Sequence, residues 1–98
     1  MYESKNIIEE LKVIKPELVK LFGISELGIF GSFARGDYNA ESDIDLLIDF
    51  SDTSDLYNKK NNLRQYLGNY FNKKIDLCRI KYVKPYFKEL ILNDAIYI

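Results

Sequence analysis

A length of 98 residues and a formal net charge of −1 fit one domain of ordinary size and leave little room for a second. The lone cysteine, Cys78, cannot form an internal disulfide. No Cys or His spacing suggests zinc, so any metal must be held by oxygen. Near-neutrality argues against generic, charge-driven binding of nucleic acid. The polar start Met1-Tyr2-Glu3-Ser4-Lys5 lacks a signal-peptide pattern and no apolar run is long enough to span a membrane, so a cytoplasmic location is expected.

Apolar residues at Ile7, Leu11, Ile14, Leu18 and Leu21/Phe22 mark one helical face. Pro16 interrupts it, and because proline suits a first turn the pattern reads as two helices, about 4 to 14 and 16 to 22, ended by Gly23. Leu27 to Phe30 reads as a short buried strand stopping at Gly31. Gly31-Ser32-Phe33-Ala34-Arg35-Gly36 reads as a turn into one or two helical turns, with Ser32 near the cap and Gly36 as the stop.

After a polar loop, Asp43 to Phe50 is the best strand candidate, since its centre is apolar on both sides of the pleat. A helix follows over about 55 to 71, then a strand over 74 to 80. Pro85 opens a last helix whose expected buried face is Phe87, Leu90 and Ile91, and residues 95 to 98 finish as an extended segment. Alternating strands and helices without a repeat or linker make residues 1–98 a single α/β domain.

Charge is distributed unevenly. Residues 37 to 55 hold seven acids and no Lys or Arg, whereas residues 59 to 88 hold nine bases and one acid, Asp76. The bases read first as a solvated face and second as a surface attracting triphosphate, RNA or an acidic partner. Asp49, Asp52 and Asp55 read as loop and helix-start residues rather than ligands. Tyr66 and Tyr70 read as core or interface, and Cys78 as an inert residue of a buried strand.

The chemistry is concentrated in Gly31-Ser32, then Asp43-Ile44-Asp45, with Asp76 on a later strand. Strand residues two apart point to one side, and a rise of roughly 3.3 Å per residue sets their Cα atoms about 6 to 7 Å apart. The carboxylates of Asp43 and Asp45 can therefore converge on shared cations. Mg²⁺ prefers such oxygens, and a pair of ions serves both the attacking and the leaving oxygen of an in-line displacement.

Asp76 can supply a third carboxylate or take the acceptor's proton. It could instead pair with Lys73, Lys74 or Arg79. Gly31 lets phosphate approach the backbone, and Ser32 offers a hydroxyl and a helix-start N–H. Arg35 could reach the triphosphate or the acceptor, or else tie down Asp37 or Glu41. An EF-hand is excluded, because the stretch after Asp43 is apolar and lacks the required Gly and Glu.

The run Gly31 to Gly36 followed by Ser42-Asp43-Ile44-Asp45-Leu46-Leu47-Ile48 resembles the signature of the DNA polymerase beta-like nucleotidyltransferases, in particular the minimal nucleotidyltransferase branch. The resemblance covers nearly the whole chain in element order. It implies a small mixed β-sheet with flanking helices, like a polymerase beta palm, and Mg²⁺-dependent transfer of a nucleotide from ATP or another triphosphate with loss of pyrophosphate.

Within that resemblance Gly31 and Ser32 match the triphosphate-binding pair, Asp43 and Asp45 the metal-binding pair, and Asp76 the third acid. It further implies an antitoxin that adenylylates a tyrosine of a HEPN-domain ribonuclease toxin, and an oligomer is compatible with it. The alternatives are a binding module that neutralises its partner by complex formation, and nucleotidyl transfer to RNA or a small molecule.

Overall fold

A computed structural model describes residues 4 to 98. The expectation that the chain lacks a leader falls partly on residues 1 to 3, outside that range. The elements in order are α1 (Ser4–Phe22), β1 (Ile24–Phe30), α2 (Ser32–Arg35), β2 (Ile44–Phe50), α3 (Leu56–Phe71), β3 (Ile75–Cys78), a 3-10 turn (Ile80–Tyr82), α4 (Pro85–Asp94) and β4 (Ile96–Tyr97). Among the described residues no helix is long and apolar enough to cross a membrane.

The four strands form one mixed sheet in the order β3-β2-β1-β4. β1 is antiparallel to both of its neighbours, β2 and β4. β2 and β3 run parallel, which requires a crossover, and α3 provides it. The expected α/β fold with a small mixed sheet is the one observed.

The core lies on one side of the sheet. Ile7, Leu11, Ile14 and Leu18 of α1 and Leu63, Leu67 and Phe71 of α3 pack with Ile29, Ile44, Leu46, Ile48 and Ile75 of the strands. β2 is also buried at Leu47, which points to the other side, so its run is apolar on both sides of the pleat as expected of a central strand. The alternate residues Asp45 and Asp49 of that second side are left half-buried.

Three expectations are corrected. α1 is one helix through Pro16, not two. Proline forfeits the hydrogen bond to the Lys12 carbonyl, but it sits on the exposed side, while the apolar stripe on either side of it is buried continuously against the sheet. Packing of that stripe outweighs one missing bond.

The face of α4 expected to be buried is not: Phe87 and Leu90 are exposed, Ile91 is half-buried, and no residue of the helix is buried. β3 ends at Cys78 rather than 80. There the chain leaves the sheet so that Arg79, nine-tenths buried, can pair with Asp49 at 3.0 Å.

Candidate active site

Position 45 stands at the crossing of three strands. Phe30 at the end of β1 pairs with Asp45 on β2, and Asp45 pairs with Asp76 on β3. Neighbouring strands lie about 4.8 Å apart, so the turn at Gly31, the Asp45 carboxylate and the Asp76 carboxylate form a short row across the sheet. Two residues 31 positions apart in sequence thus become neighbours.

Gly31 has φ 74° and ψ −152°, a conformation that favours glycine. A Cβ at that position would overlap the carboxylate of Asp45. The backbone therefore approaches the acid as closely as only a glycine permits. The turn continues into the single turn of α2, stopped by Gly36 in the left-handed region at φ 90°. Phe33, fully buried, anchors this turn and stacks with Tyr38 at 4.5 Å.

Asp45 is held above the ordinary carboxylate range, at about 6, first because burial disfavours its charge and then because Asp76 and Asp43 are close; Arg35 opposes the rise. Asp43 lies just outside the ladder of β2, with Lys74 at 3.8 Å. Among the described residues no three acidic, His or Cys side chains are gathered into a ready metal cage.

Mutual repulsion explains that spread, since three carboxylates on one patch hold excess negative charge. An all-oxygen donor set with unbalanced negative charge is the chemistry that Mg²⁺ satisfies. The residues fit the ion. Asp76 forms no ion pair within 4.0 Å among the described residues; Lys74 turns to Asp43 and Arg79 to Asp49.

Beside this row opens a cleft of about 430 Å³. Phe30 and Gly31, Ser32 and Arg35 of α2, and Asp45 form one side of it; Leu90, Ile91 and Asp94 of α4 form the other. Arg35 lies at this cleft but its guanidinium is engaged by acids, Asp37 at 3.1 Å and Asp94 at 3.0 Å, and both contacts hold its pKa above the ordinary value. Of the two loop acids considered from sequence, Asp37 is the partner and Glu41 is not.

Sequence reasoning missed Asp94 and the cleft-lining role of Leu90 and Ile91. The available signal was Asp94 continuing the helical spacing of Phe87, Leu90 and Ile91, an acid in an otherwise apolar stripe. Asp49, read both as part of the strand Asp43 to Phe50 and as a loop residue, belongs to β2 and accepts hydrogen bonds from the N–H of Phe50 and from Arg79, with Lys81 at 3.2 Å. Cys78 is half-buried on the edge strand, and burial pushes its thiol up, consistent with an inert residue.

A mixed sheet with acids on two parallel strands, opening on a glycine–serine turn, defines an enzyme class: a nucleotidyl-transfer domain that acts on a nucleoside triphosphate with a divalent cation. The family model described as Nucleotidyltransferase domain matches residues 11–98, and the chain belongs to that family. It is a nucleotidyltransferase.

Protein adenylyltransferase MntA of Thermococcus cleftensis is 33% identical over 95 residues, covering 93% of this chain and 95% of its own. A Methanocaldococcus jannaschii protein with the provisional name protein adenylyltransferase MJ0128 is 38% identical over 97 residues, covering 98% and 95%. A solved structure described provisionally as a minimal nucleotidyltransferase superposes with TM-score 0.81 at 23% identity, over 99% of this chain and 97% of that one. A chain from a toxin–antitoxin crystal structure with AMP-PNP gives TM-score 0.67 at 20% identity, over 98% and 72%. At these identities the two structures speak for the fold alone.

Proposed function

We propose that this chain transfers AMP from ATP to the hydroxyl of a protein, a tyrosine of a cognate HEPN-domain ribonuclease toxin, and acts in the cytoplasm as its antitoxin. The observation that carries the reading is the row of Gly31, Asp45 and Asp76 across three strands beside a cleft. Its support for a protein acceptor is the pair of relatives, both named protein adenylyltransferases, that match almost end to end.

Each residue has a role in that reading. Gly31 and Ser32 receive the β- and γ-phosphates on backbone and hydroxyl donors. Arg35 exchanges part of its contact with Asp37 and Asp94 for phosphate oxygen. Asp43, Asp45 and Asp76 are the carboxylates that hold Mg²⁺, two ions in this reading. Once bound, the metal supplies charge neutralisation for the triphosphate and the departing pyrophosphate.

The acceptor oxygen forms a bond to the α-phosphorus, the bond from that phosphorus to the bridging oxygen breaks, and pyrophosphate leaves with the electron pair. The hydroxyl proton passes to the carboxylate of Asp76.

The test is labelling. Purified protein and its Asp43→Asn/Asp45→Asn variant are incubated with Mg²⁺, a lysate of the producing cells and ATP labelled at the α-phosphate. The expected result is a labelled protein band that requires Mg²⁺ and is absent with the variant. Label on RNA or a small molecule instead would change the acceptor. No label with any of the four nucleoside triphosphates would leave partner neutralisation by complex formation as the function.

A further inference from the structure

The two sides of the sheet are used differently. α1 and α3 cover one side with the core. The other side carries the Asp45 carboxylate and the cleft, and there α4 forms the facing wall. α4 starts soon after the Arg79–Asp49 pair at the far end of β2, and ends where Asp94 meets Arg35 beside the cleft. Its second half, at Leu90, Ile91 and Asp94, lines the cleft.

Among the described residues nothing covers the outer part of this helix. Tyr86 is 71% exposed, Phe87 54% and Leu90 49%. Tyr86 and Leu90 lie one turn apart, Phe87 is one turn before Leu90 and Ile91, and the rings of Tyr86 and Phe87 touch edge to face at 5.4 Å. Leu90 also lines the cleft, so the exposed apolar patch is continuous with the place where the nucleotide binds. Single exposed apolar residues need no explanation, but a contiguous patch beside a site does.

The direction of attack indicates which molecule meets this patch. In an in-line displacement the attacking and leaving oxygens lie on opposite sides of the phosphorus. With the triphosphate at Gly31-Ser32, just past the end of β1, and Asp45 on β2, the acceptor oxygen enters over Asp76 on β3. A molecule large enough to present a side chain there approaches from the same side of the sheet as α4, and comes to rest on it.

Charge narrows the partner. Lys84, which caps the start of α4, and Lys88 on the helix lie one turn apart, and neither forms an ion pair within 4.0 Å among the described residues. Of the two acids on the helix, Asp94 is neutralised by Arg35, which leaves Glu89. Lysines beside exposed aromatics match an apolar surface flanked by acids. RNA fits less well, because it would carry its phosphates past Asp37, Glu41 and Asp43 in the loop before β2.

We propose that the outward part of α4, Tyr86, Phe87 and Leu90 with Lys84 and Lys88, is the docking surface for the acceptor protein, and that the acceptor meets it with an apolar patch flanked by Asp and Glu. This rests on the protein-acceptor reading above. The surface sets acceptor affinity; the row from Gly31 to Asp76 performs the transfer.

The test uses the full chain and the protein that becomes labelled in the transfer experiment. Two variants are compared with wild type, Phe87→Ala and Lys84→Glu/Lys88→Glu, for steady-state transfer and for binding of a fluorescent ATP analogue with Mg²⁺. Expected is a rise in the acceptor KM of about tenfold in each. The kcat and the affinity for the ATP analogue stay unchanged, and the effect of the charge reversal shrinks at high salt. A photo-crosslinker at position 86 should join the acceptor.

An acceptor KM within twofold of wild type in both variants overturns the docking surface while leaving the protein acceptor in place. Wild type that labels RNA, or no protein at all, overturns the protein-acceptor reading and this surface with it. Phe87 and Lys88 project from α4, none of whose residues is buried, and Lys84 is the exposed residue just before it, so circular dichroism of each variant should match wild type.

Discussion

Gly31 meets two requirements that a single methyl group would break. Its backbone lies at φ 74°, and a side chain there would overlap Asp45. Gly31→Ala therefore strains the turn by about 1 to 3 kcal/mol and shifts the carboxylate that defines the site. Transfer should fall by roughly 100-fold, the cost of a misplacement near 1 Å, while far-ultraviolet circular dichroism stays native. Gly31→Ala with near-normal turnover would show that the close approach is dispensable.

Asp49 illustrates the opposite case, an acid kept for stability. Burial alone would raise its pKa, but the N–H of Phe50, Lys81 and Arg79 together outweigh burial and hold it below the ordinary carboxylate value. In acid the unfolded chain then binds a proton that the folded chain does not. Its contribution is present above the unfolded carboxylate pKa and is lost as pH falls through the lower folded value. Asp49→Asn leaves the buried Arg79, whose Nε donates to Asp49 and whose Nη2 has no hydrogen-bond partner among the described residues, without its counter-charge. Urea unfolding at neutral pH should show a loss of about 3 kcal/mol, and the difference from wild type should shrink toward low pH.

Among the elements, α1 and α4 mark the two ends of how far a helix is fixed by packing. α1 tolerates an internal proline because Ile7, Leu11, Ile14 and Leu18 are all buried along one stripe. α4 buries no residue and is fastened by β4, which pairs two residues with β1, and by Arg35 on Asp94. Protection from hydrogen exchange follows buried contact, so α4 amides should exchange faster than those of α1 and α3 by native-state mass spectrometry. Equal protection in the three helices would contradict that ranking.

The same contrast explains which elements were legible. Periodicity located the helical stretches of α1, α3 and α4 to within a few residues, because apolar spacing records which side chains face one way. It overstated burial for Phe87 and Leu90, because the same spacing serves equally a face that lines a cleft and meets a partner. It split α1 at Pro16, because a local rule about one missing hydrogen bond contains no term for the stripe that spans it.

At the scale of the whole molecule, the site is a negatively charged patch in a chain of nearly balanced charge. The carboxylates of Asp43, Asp45 and Asp76 repel one another, and in the proposed reading cation with triphosphate relieves that repulsion in the folded state alone. Mg²⁺ with a non-hydrolysable ATP analogue at about 100 times its Kd should therefore stabilise the protein by about 2.7 kcal/mol. The expected rise in Tm is absent in Asp43→Asn/Asp45→Asn. A Tm that Mg²⁺ and nucleotide leave unmoved in wild type would count against the metal role of these acids.

Local spacing was enough to establish the class. Gly31-Ser32 with Asp43 and Asp45 close behind pointed to phosphate and metal chemistry, because a turn and a two-residue strand repeat fix local geometry within a few residues. Long-range contacts were needed to show that Asp76 stands opposite Asp45, that Arg35 is shared between Asp37 and Asp94, and that α4 forms the far wall of the cleft with its apolar residues uncovered. The pairings of Asp45 with Asp76 and of Arg35 with Asp94 join residues 31 and 59 positions apart. Strand register and the path of α4 across the sheet set them, and neither is encoded in the spacing of any one segment.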